Sequence, residues 1–322
     1  MEKNAEGNKV LLIYNPRAGN GMFPANLDKI IEAFQSCGQF VHPVRGGTPE
    51  LLDEVFRRID PDDYCKVIAA GGDGTLNLVV NAMIRNGINL PMGIFPAGTA
   101  NDYAYYFDIP REINGMLEIA TGNHTTDADV CMVNGEKYYI NVLALGNLVD
   151  VSQKTDPNLK NTLGLVAYYL RALAELTKIE PFPVTIESEE FSGTESIYFM
   201  IAMNGRSAGG FRRIAEEAAI NDGLVDVILF KELPSLVELP QLLLNLMQGN
   251  YIENKNVLFF QTAKVRLSSD RPIVTDTDGE QGPNLPIVLE VLEKKLKILT
   301  REDDMEGAVS SHVLPGIIWK DK

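Results

Sequence analysis

The first third of the chain alternates apolar runs of strand length with segments of helical periodicity. The strand-like runs lie at residues 9–14, 40–44, 65–70 and 91–95. Between the first two runs, residues 27–34 place their apolar side chains on one helical face. After the second run, Thr48-Pro49-Glu50 carries the cap, the proline and the acidic first turn of another helix. This alternation predicts a parallel sheet with helices on both faces.

Near Asp129 the pattern changes to a succession of short strands. These lie at residues 137–145, 184–187, 196–203, 224–230, 257–267 and 287–291. Residues 163–176 and 236–247 are the two long helical segments that interrupt them. This texture predicts a mostly antiparallel, β-rich second domain. We therefore expect an α/β domain over residues 1–129, a β-rich domain over residues 130–299, and a tail, 300–322, that returns to the first domain.

Two glycine-rich loops follow predicted strands, and each opens a helix. They are Gly71-Gly72-Asp73-Gly74-Thr75 and Pro96-Ala97-Gly98-Thr99-Ala100-Asn101-Asp102. In a parallel sheet this position brings backbone N–H groups and helix N-termini to the carboxyl edge, where α/β folds bind phosphates. Glycine lets the backbone approach closely because it lacks a Cβ. A carboxylate such as Asp73 repels a phosphate unless a cation lies between them, so the pattern also indicates Mg²⁺.

The repetition of the loop is what gives it functional meaning. A lone Gly-Gly-Asp-Gly is a sharp turn, whereas two such loops in matching positions, each with an aspartate, predict nucleotide binding. Other phosphate-binding signatures are missing. The sequence contains no GxxxxGK[ST] motif, and Pro24 breaks the GxGxxG pattern that begins at Gly19. A dinucleotide-binding dehydrogenase is therefore disfavoured.

Composition disfavours several classes of partner. Apolar residues make up 45% of the 322 residues, enough for two cores. The formal net charge is −15 at pH 7, and no basic stripe or polybasic cluster is present. We therefore expect no nucleic-acid partner and no strong electrostatic docking on anionic membranes. The three cysteines and three histidines are too few and too scattered for a disulfide framework or a zinc site.

Targeting signals are weak throughout. The N-terminus lacks an apolar signal region, and no run approaches the roughly 20 apolar residues of a membrane-spanning helix. We expect a cytoplasmic protein that contacts membranes only peripherally. The sequence leaves the oligomeric state open and allows a homodimer.

Four motifs occur in the order Asn15-Pro16-Arg17-Ala18-Gly19, Gly71-Gly72-Asp73-Gly74-Thr75, Gly98-Thr99-Ala100-Asn101-Asp102 and Asp278-Gly279-Glu280. Together they resemble the signatures of the diacylglycerol kinase catalytic-domain family, which includes sphingosine kinases and bacterial lipid kinases. The resemblance spans almost the whole chain. It implies an enzyme that transfers the γ-phosphate of ATP to a lipid hydroxyl, with diacylglycerol as the leading acceptor and phosphatidic acid as the product.

The resemblance also implies roles for individual residues. The ATP site would be lined by Asn15, Gly19, Thr48, Gly71, Gly72, Gly74, Thr75, Gly98, Thr99 and Asn101. An acidic network around a catalytic Mg²⁺ would comprise Asp73, Asp102 and Asp129, with Asp127 as the rival of Asp129. Glu280 would be the general base. A structural Mg²⁺ would be held by the Asp222 carboxylate and the backbone carbonyls of Ala219 and Leu224.

Plainer interpretations stand beside two of these roles, and one residue departs from the family pattern. Glu280 follows Asp278-Gly279, so without the resemblance it is a solvated glutamate at a turn. Asn221-Asp222-Gly223 is likewise a common hairpin turn. The family usually has glutamate at the position of Leu78, and this substitution leaves the acidic cluster one member short.

Alternative functions stay open on the sequence. GGDGT is shared with NAD kinases, although the GTAND loop and the late Asp278-Gly279-Glu280 disfavour NAD as the acceptor. A sphingoid base or another lipid alcohol is an alternative substrate. A nucleotide-binding regulatory module without turnover is a rival of another class. The acyl chains would border residues 163–176 or 236–247, although helices that are apolar all round are more often simply buried.

Overall fold

The computed structural model describes residues 7–146, 180–212, 214–215, 218–252 and 254–302. Its first half alternates strands and helices, as the pattern predicts. The elements are β1 (Lys9–Tyr14), α1 (Met22–Ser36), β2 (Phe40–Arg45), α2 (Pro49–Arg58), β3 (Tyr64–Gly71), α3 (Asp73–Arg85), β4 (Met92–Pro96), α4 (Asp102–Tyr106), α5 (Ile113–Thr121) and β5 (Thr125–Val133).

The four predicted strands form a parallel sheet in the order β2-β1-β3-β4. The middle of β1, residues 10–13, has no exposed surface, as expected for a parallel strand covered on both faces. Lys66 on β3 is the exception to this apolar pattern, since it is only 2% exposed. Its Nζ donates to the carbonyl oxygens of Ala120 (2.9 Å) and Gly122 (2.7 Å), and so places a cation at the C-terminal end of α5.

The second half of the described chain is dominated by strands. The elements are β6 (Lys137–Tyr139), β7 (Val142–Gly146), β8 (Phe182–Glu187), β9 (Ser192–Met203), β10 (Val225–Lys231), α6 (Leu239–Met247), β11 (Val257–Thr262), β12 (Lys264–Ser268), β13 (Val274–Thr277), β14 (Glu280–Asn284) and β15 (Ile287–Leu299). Pairing among β7 to β14 is antiparallel. The expected fold class, an α/β domain followed by a mostly antiparallel β-rich domain, is confirmed.

A long antiparallel pair, β5 with β15, runs through both parts of the molecule. One end of β15 pairs with β12 of the β-rich part, and the other end pairs in parallel with β4 at Ile298. The ladder is interrupted by a bulge between Leu292 and Leu296. Beyond β15, the Thr300 amide donates to the His124 carbonyl (3.1 Å), so the chain ends its described course against the first domain. A domain boundary at residue 129 stays a prediction, because β5 passes straight through it.

Several elements differ from the sequence pattern, for reasons that lie in tertiary contacts. The predicted strand at 137–145 is split into β6 and β7 at Ile140-Asn141, where the backbone amides turn towards Asp278. The predicted strand at 257–267 is split at Ala263, because β11 pairs with β10 whereas β12 pairs with β15 and β8. Helix α5 and the strands β5, β13 and β14 were not predicted from the sequence. The predicted helix at 163–176 lies outside the described residues.

Among the described residues, no helix has both the length and the apolar character that a membrane span needs.

Candidate active site

The loops after β1, β3 and β4 meet at the carboxyl edge of the parallel sheet. A Cβ added to Gly98 would lie 2.6 Å from the Cα of Gly72, and one added to Gly19 would lie 3.1 Å from the Cβ of Ala97. Real Cβ atoms do not approach a backbone carbon to 2.6 Å, so glycine is required where the two loops touch. The motifs singled out in the sequence are therefore brought together, with their backbones in contact.

The first loop is attached to the second by hydrogen bonds. The Asn15 amide donates to the Ala70 carbonyl (2.8 Å), and its side-chain Nδ2 lies 3.5 Å from Oγ1 of Thr75. Gly19 has a φ of +56°, a left-handed conformation that favours glycine. Asn15 thus lies beside the GGDGT loop and Gly19 lies beside Ala97 of the next loop. Their role in an ATP site stays a prediction.

The GGDGT loop leads directly into α3. Gly72 is the N-cap of this helix and has no side chain, so the N-cap position supplies no acceptor to the first-turn N–H groups. The side chain of Thr75 folds back over Gly71, where an added Cβ would lie 2.4 Å from its Oγ1. A Cβ at Gly74 would meet no atom within 4 Å. An uncapped helix N-terminus of this kind attracts anions.

The GTAND loop is held together by hydrogen bonds from one of its own side chains. Oδ1 of Asn101 accepts from the Gly98 amide (2.8 Å), and its Nδ2 donates to the Gly98 carbonyl (2.7 Å). Asn101 has a φ of +52° and is 4% exposed. It shapes the loop from inside, while the backbone carbonyls of Thr99 and Ala100 accept from the Arg111 guanidinium at 3.4 and 3.1 Å.

Asp73 and Asp102 begin neighbouring helices and lie close together. Burial raises the pKa of Asp73. Burial, followed by the nearby Asp73 carboxylate, raises the pKa of Asp102 to about 6. Two adjacent carboxylates, one of them 4% exposed, are costly unless cations lie nearby. The Arg212 guanidinium, with Nη1 3.7 Å from Oδ1 of Asp102, offsets part of this cost. Mg²⁺ is commonly held by one or two carboxylates plus substrate phosphates, and this pair of carboxylates fits that requirement.

Metal cages built from protein side chains alone are a different case. Within the described ranges, no cluster of three or more His, Cys, Asp or Glu side chains could hold a metal. A metal between Asp73 and Asp102 would therefore need oxygens from water or from a phosphate.

The Asp129 carboxylate accepts hydrogen bonds from backbone amides. Asp129 has no exposed surface, and its carboxylate accepts from the backbone amides of Gly223 (2.7 Å) and Lys294 (2.6 Å). Lys294 belongs to the bulge of β15 and has a φ of +49°. Asp129 thus supplies acceptors to the amides that the bulge and the Asp222 loop leave unpaired. This contact ties the two domains together, while Asp127, on the same face of β5, is partly exposed.

The Asp222 loop lies beside this anchor. Asp222 accepts from the Leu224 amide (2.9 Å), and Gly223 has a φ of +77°. Burial and then the Asp129 carboxylate raise the pKa of Asp222. These contacts describe a tight turn whose Asp222 carboxylate lies near that of Asp129. A metal bound by Ala219, Asp222 and Leu224 stays a prediction.

Glu280 follows a two-residue turn between β13 and β14. Asp278 and Gly279 have φ values of +52° and +88°, as a type I′ turn requires. The Asp278 carboxylate accepts from the amides of Ile140 (2.8 Å), Asn141 (3.1 Å) and Val142 (2.9 Å) and from Nδ2 of Asn77 (2.7 Å). Asn77 lies about one helical turn after Asp73 on α3. The hairpin that carries the exposed Glu280 is therefore fastened to the helix that begins with GGDGT.

Comparison with known proteins agrees with this geometry. Residues 9–133 match the model of the diacylglycerol kinase catalytic domain, and residues 142–300 match that of the YegS C-terminal NAD kinase beta sandwich-like domain. A diacylglycerol kinase from Staphylococcus epidermidis is 30% identical over 296 residues, covering 91% of this chain and 92% of the relative. The chain belongs to the diacylglycerol kinase catalytic-domain family.

A second relative supports the assignment to the family, and two solved structures share the fold. A diacylglycerol kinase from Bacillus subtilis is 29% identical over 85% of this chain and 90% of its own length. A crystal structure of a Bacillus anthracis protein superposes with a TM-score of 0.79 at 24% identity, covering 94% of this chain and 99% of that one. A diacylglycerol kinase structure from the same species gives a TM-score of 0.75 at 23% identity, over 93% and 99%. At these identities the structures show the shared fold.

The remaining family positions have plain local roles in the structure. Thr48 is the N-cap of α2, with its Oγ1 3.5 Å from the Leu51 amide. Leu78, where the family usually has glutamate, is partly buried and packs against the core of the α/β domain. The acidic pair of Asp73 and Asp102 thus has no third carboxylate from this position of α3.

Sequence reasoning missed residues that organise the site from a distance. The first two are Asn77 and the carboxylate of Asp278. Asn204 donates through Nδ2 to the carbonyls of Asp129 (3.2 Å) and Ile140 (2.8 Å). Gly210 and Arg212 contact the Asp102 carboxylate. Asn77 and Asn81 are buried polar residues four positions apart on an otherwise apolar helix, and this spacing was the available signal. The others had no local signal, because their partners come from remote parts of the chain.

Proposed function

We propose that this protein is an ATP-dependent lipid kinase that transfers the γ-phosphate to a lipid hydroxyl, and that diacylglycerol is the acceptor. The observation that carries the proposal is the hydrogen bond between Asn77 and Asp278. It holds the hairpin of Glu280 against the helix that opens at the GGDGT loop. A phosphate site and a carboxylate that can act as a base thereby face one region.

The phosphates of ATP would bind at the start of α3. Uncapped amides and the helix dipole favour negative charge there, and Gly74 leaves the space above the first turn open. A surface pocket at this point is lined by Gly71, Gly72, Asp73, Asn101 and neighbouring apolar residues.

Asp73 and Asp102 would hold Mg²⁺ together with phosphate oxygens. When bound, the metal neutralises charge on the transferred group. The two carboxylates contribute position, because each is fixed at a helix start and is largely shielded from solvent. The structural metal at Ala219, Asp222 and Leu224 belongs to the same proposal and would neutralise the carboxylates of Asp222 and Asp129.

Glu280 would accept the proton of the lipid hydroxyl. The hydroxyl oxygen forms a bond to the γ-phosphorus, the bond to the β–γ bridging oxygen breaks, and ADP leaves. Such in-line transfer depends mainly on positioning and charge stabilisation. The role of the Asp278 hydrogen bonds is to fix the turn that presents Glu280.

The acceptor is inferred from the names of the relatives, which are diacylglycerol kinases in Staphylococcus and Bacillus. The match of residues 142–300 to an NAD kinase-like β sandwich keeps NAD as the second candidate acceptor. A lipid acceptor implies reaction at a membrane surface by a peripherally bound enzyme. A homodimer is compatible with the proposal and is not needed for it.

The test is transfer of labelled γ-phosphate from ATP, with Mg²⁺, to diacylglycerol, monoacylglycerol, a sphingoid base and NAD. Diacylglycerol should be labelled, and Glu280→Gln should reduce the rate by at least about a hundredfold. The matched control is Glu190→Gln, an exposed glutamate in the turn between β8 and β9, which should keep the parent rate.

Two outcomes would contradict the proposal. If NAD is labelled and none of the lipids is, the acceptor is NAD and not diacylglycerol. ATP binding without labelling of any acceptor would favour a regulatory module, and Leu78 would then be the first residue to replace with glutamate.

A further inference from the structure

A segment of the β-rich domain closes over the GTAND loop. The Gly210 amide donates to both carboxylate oxygens of Asp102, at 3.2 and 3.0 Å, and Oγ of Ser207 donates to the Asp102 carbonyl at 3.3 Å. Both contacts join residues more than a hundred positions apart. The second domain therefore touches the proposed phosphate site directly, and not only through the Glu280 hairpin.

Arg212 lies at the centre of this contact. Its Cζ is 3.9 Å from the centre of the Tyr105 ring, and its Nη2 donates to the Ala100 carbonyl at 3.2 Å. Its Nη1 lies 3.7 Å from Oδ1 of Asp102, close enough for an ion pair and too far for a good hydrogen bond. Stacking on a ring and one carbonyl contact hold the guanidinium plane in a fixed orientation.

The Nη1 group of Arg212 is buried and has no hydrogen-bond acceptor in the described part of the chain. Buried polar groups nearly always have partners, and an orphaned donor on a charged group is especially costly. Such a donor is expected where a ligand supplies the missing acceptor. Planar guanidinium groups match phosphate oxygens well, since they can offer two parallel N–H donors.

Two nearby arginines behave differently. Arg111 is exposed and donates to the carbonyls of Thr99 and Ala100. Arg206 donates through Nε to the Ala218 carbonyl at 3.0 Å and lies over the Tyr106 ring at 5.0 Å. Both have acceptors that belong to the protein. Among these three, Arg212 alone combines a buried unpaired donor with a position beside Asp102.

We propose that Arg212 binds the γ-phosphate of ATP. This inference rests on the proposed function. The α- and β-phosphates would lie over the first turn of α3. The γ-phosphate must lie where Glu280 of the second domain can reach the acceptor hydroxyl, between the two domains. Arg212 reaches this position from the second domain. Its guanidinium would exchange its contact with Asp102 for phosphate oxygens and would leave Asp102 to the metal.

The experiment compares nucleotides that differ in the γ-phosphate. Binding of ADP and of a non-hydrolysable ATP analogue is titrated with Mg²⁺ for the parent, Arg212→Gln and Arg212→Lys. We expect Arg212→Gln to weaken binding of the triphosphate analogue by about ten- to a hundredfold and binding of ADP by less than about twofold. Arg212→Lys should recover part of the loss, because it keeps the charge and loses the planar fork.

Two further variants separate binding from folding. Tyr105→Leu removes the ring on which the Arg212 guanidinium lies and leaves the Ala100 carbonyl in place. It should weaken binding of the triphosphate analogue more than that of ADP, but by a smaller factor than Arg212→Gln does. Arg266→Gln is the control, since Arg266 is exposed on β12 and pairs with Glu187 at 3.7 Å. It should leave both nucleotide affinities unchanged.

The inference is overturned if Arg212→Gln weakens ADP and the triphosphate analogue equally, because Arg212 would then only support the GTAND loop. It is also overturned if neither affinity changes. If the parent protein binds neither nucleotide, the proposed function fails first, and this result is distinct from the other two.

Discussion

The hydrogen bond between Asn77 and Asp278 joins the helix of the GGDGT loop to the hairpin of Glu280, and its removal should affect stability and turnover together. Asn77 is 2% exposed, and its Nδ2 lies 2.7 Å from Oδ2 of Asp278. A hydrogen bond to a charged group contributes about 1.5–3 kcal/mol. The bond from Asn81 Nδ2 to Oδ1 of Asn77, at 3.0 Å, adds about 1 kcal/mol. Asn77→Ala should therefore lower the free energy of unfolding by about 2.5–4 kcal/mol.

The same substitution should slow phosphoryl transfer. The hairpin loses its side-chain contact with α3, and a displacement of about 1 Å in a reacting group can cost about a hundredfold in rate. The assay is the turnover number with saturating ATP and diacylglycerol, measured at a temperature where the variant remains folded. Urea denaturation of the same preparation gives the stability.

A matched asparagine controls for the loss of an Asn–Asp contact. Asn86, at the end of the same helix, donates to Asp53 at 3.1 Å within the α/β domain. Asn86→Ala should lower stability slightly and leave the turnover number within about twofold of the parent. The reasoning is refuted if Asn77→Ala turns over as fast as Asn86→Ala, or if its unfolding free energy falls by less than about 0.5 kcal/mol.

Three further predictions concern other parts of the structure. Gly98→Ala places a Cβ 2.6 Å from the Cα of Gly72, so the two loops must separate and nucleotide affinity should fall at least about tenfold by titration; an unchanged affinity would mean that the loops do not act together. Lys66→Met leaves two carbonyls at the end of α5 without their donor and should lower the unfolding free energy by about 2–3 kcal/mol, measured in urea; a more stable variant would contradict it. The pKa of Asp102 is about 6 in the folded protein, above the unfolded value of about 3.9, so its stabilising contribution is present below pH 4 and is lost as pH rises through 6. Asp102→Asn should remove up to about 3 kcal/mol of this pH dependence of the unfolding free energy between pH 4 and 7. The assignment is contradicted if the unfolding free energies of parent and variant, measured by urea denaturation, change with pH by the same amount across this range.

The sequence was sufficient for features whose cause is local. β1 begins and ends at the predicted residues because Lys9–Tyr14 is an apolar run closed by Asn15-Pro16. Thr48 caps α2, and Asp278-Gly279 forms the predicted turn. The glycine loops could likewise be located because glycine, strand and helix signals adjoin one another in the sequence.

The remaining features depend on contacts between distant residues. Asn77 and Asp278 are separated by 201 positions, and Gly210 and Asp102 by 108, so no local pattern could pair them. β14, with the sequence EQGPN, carries few strand-forming residues and is held by its pairing with β13, which in turn pairs with β7. The role of Asp129 was also beyond a local argument, because the β15 bulge that it serves can be recognised only once the ladder with β5 is formed.

The pairing of β5 with β15 has a consequence for how the chain can be divided. The strand that borders β4 comes from residues 287–299, although β4 itself lies in the first third of the sequence. A fragment that stopped after β5 would leave β4 and β5 with open hydrogen-bonding edges, and such edges recruit other chains. The first domain is thus completed by β15, which is synthesised after the other strands and helices that the structure describes, so the nascent protein must keep those edges from intermolecular pairing until β15 has been made.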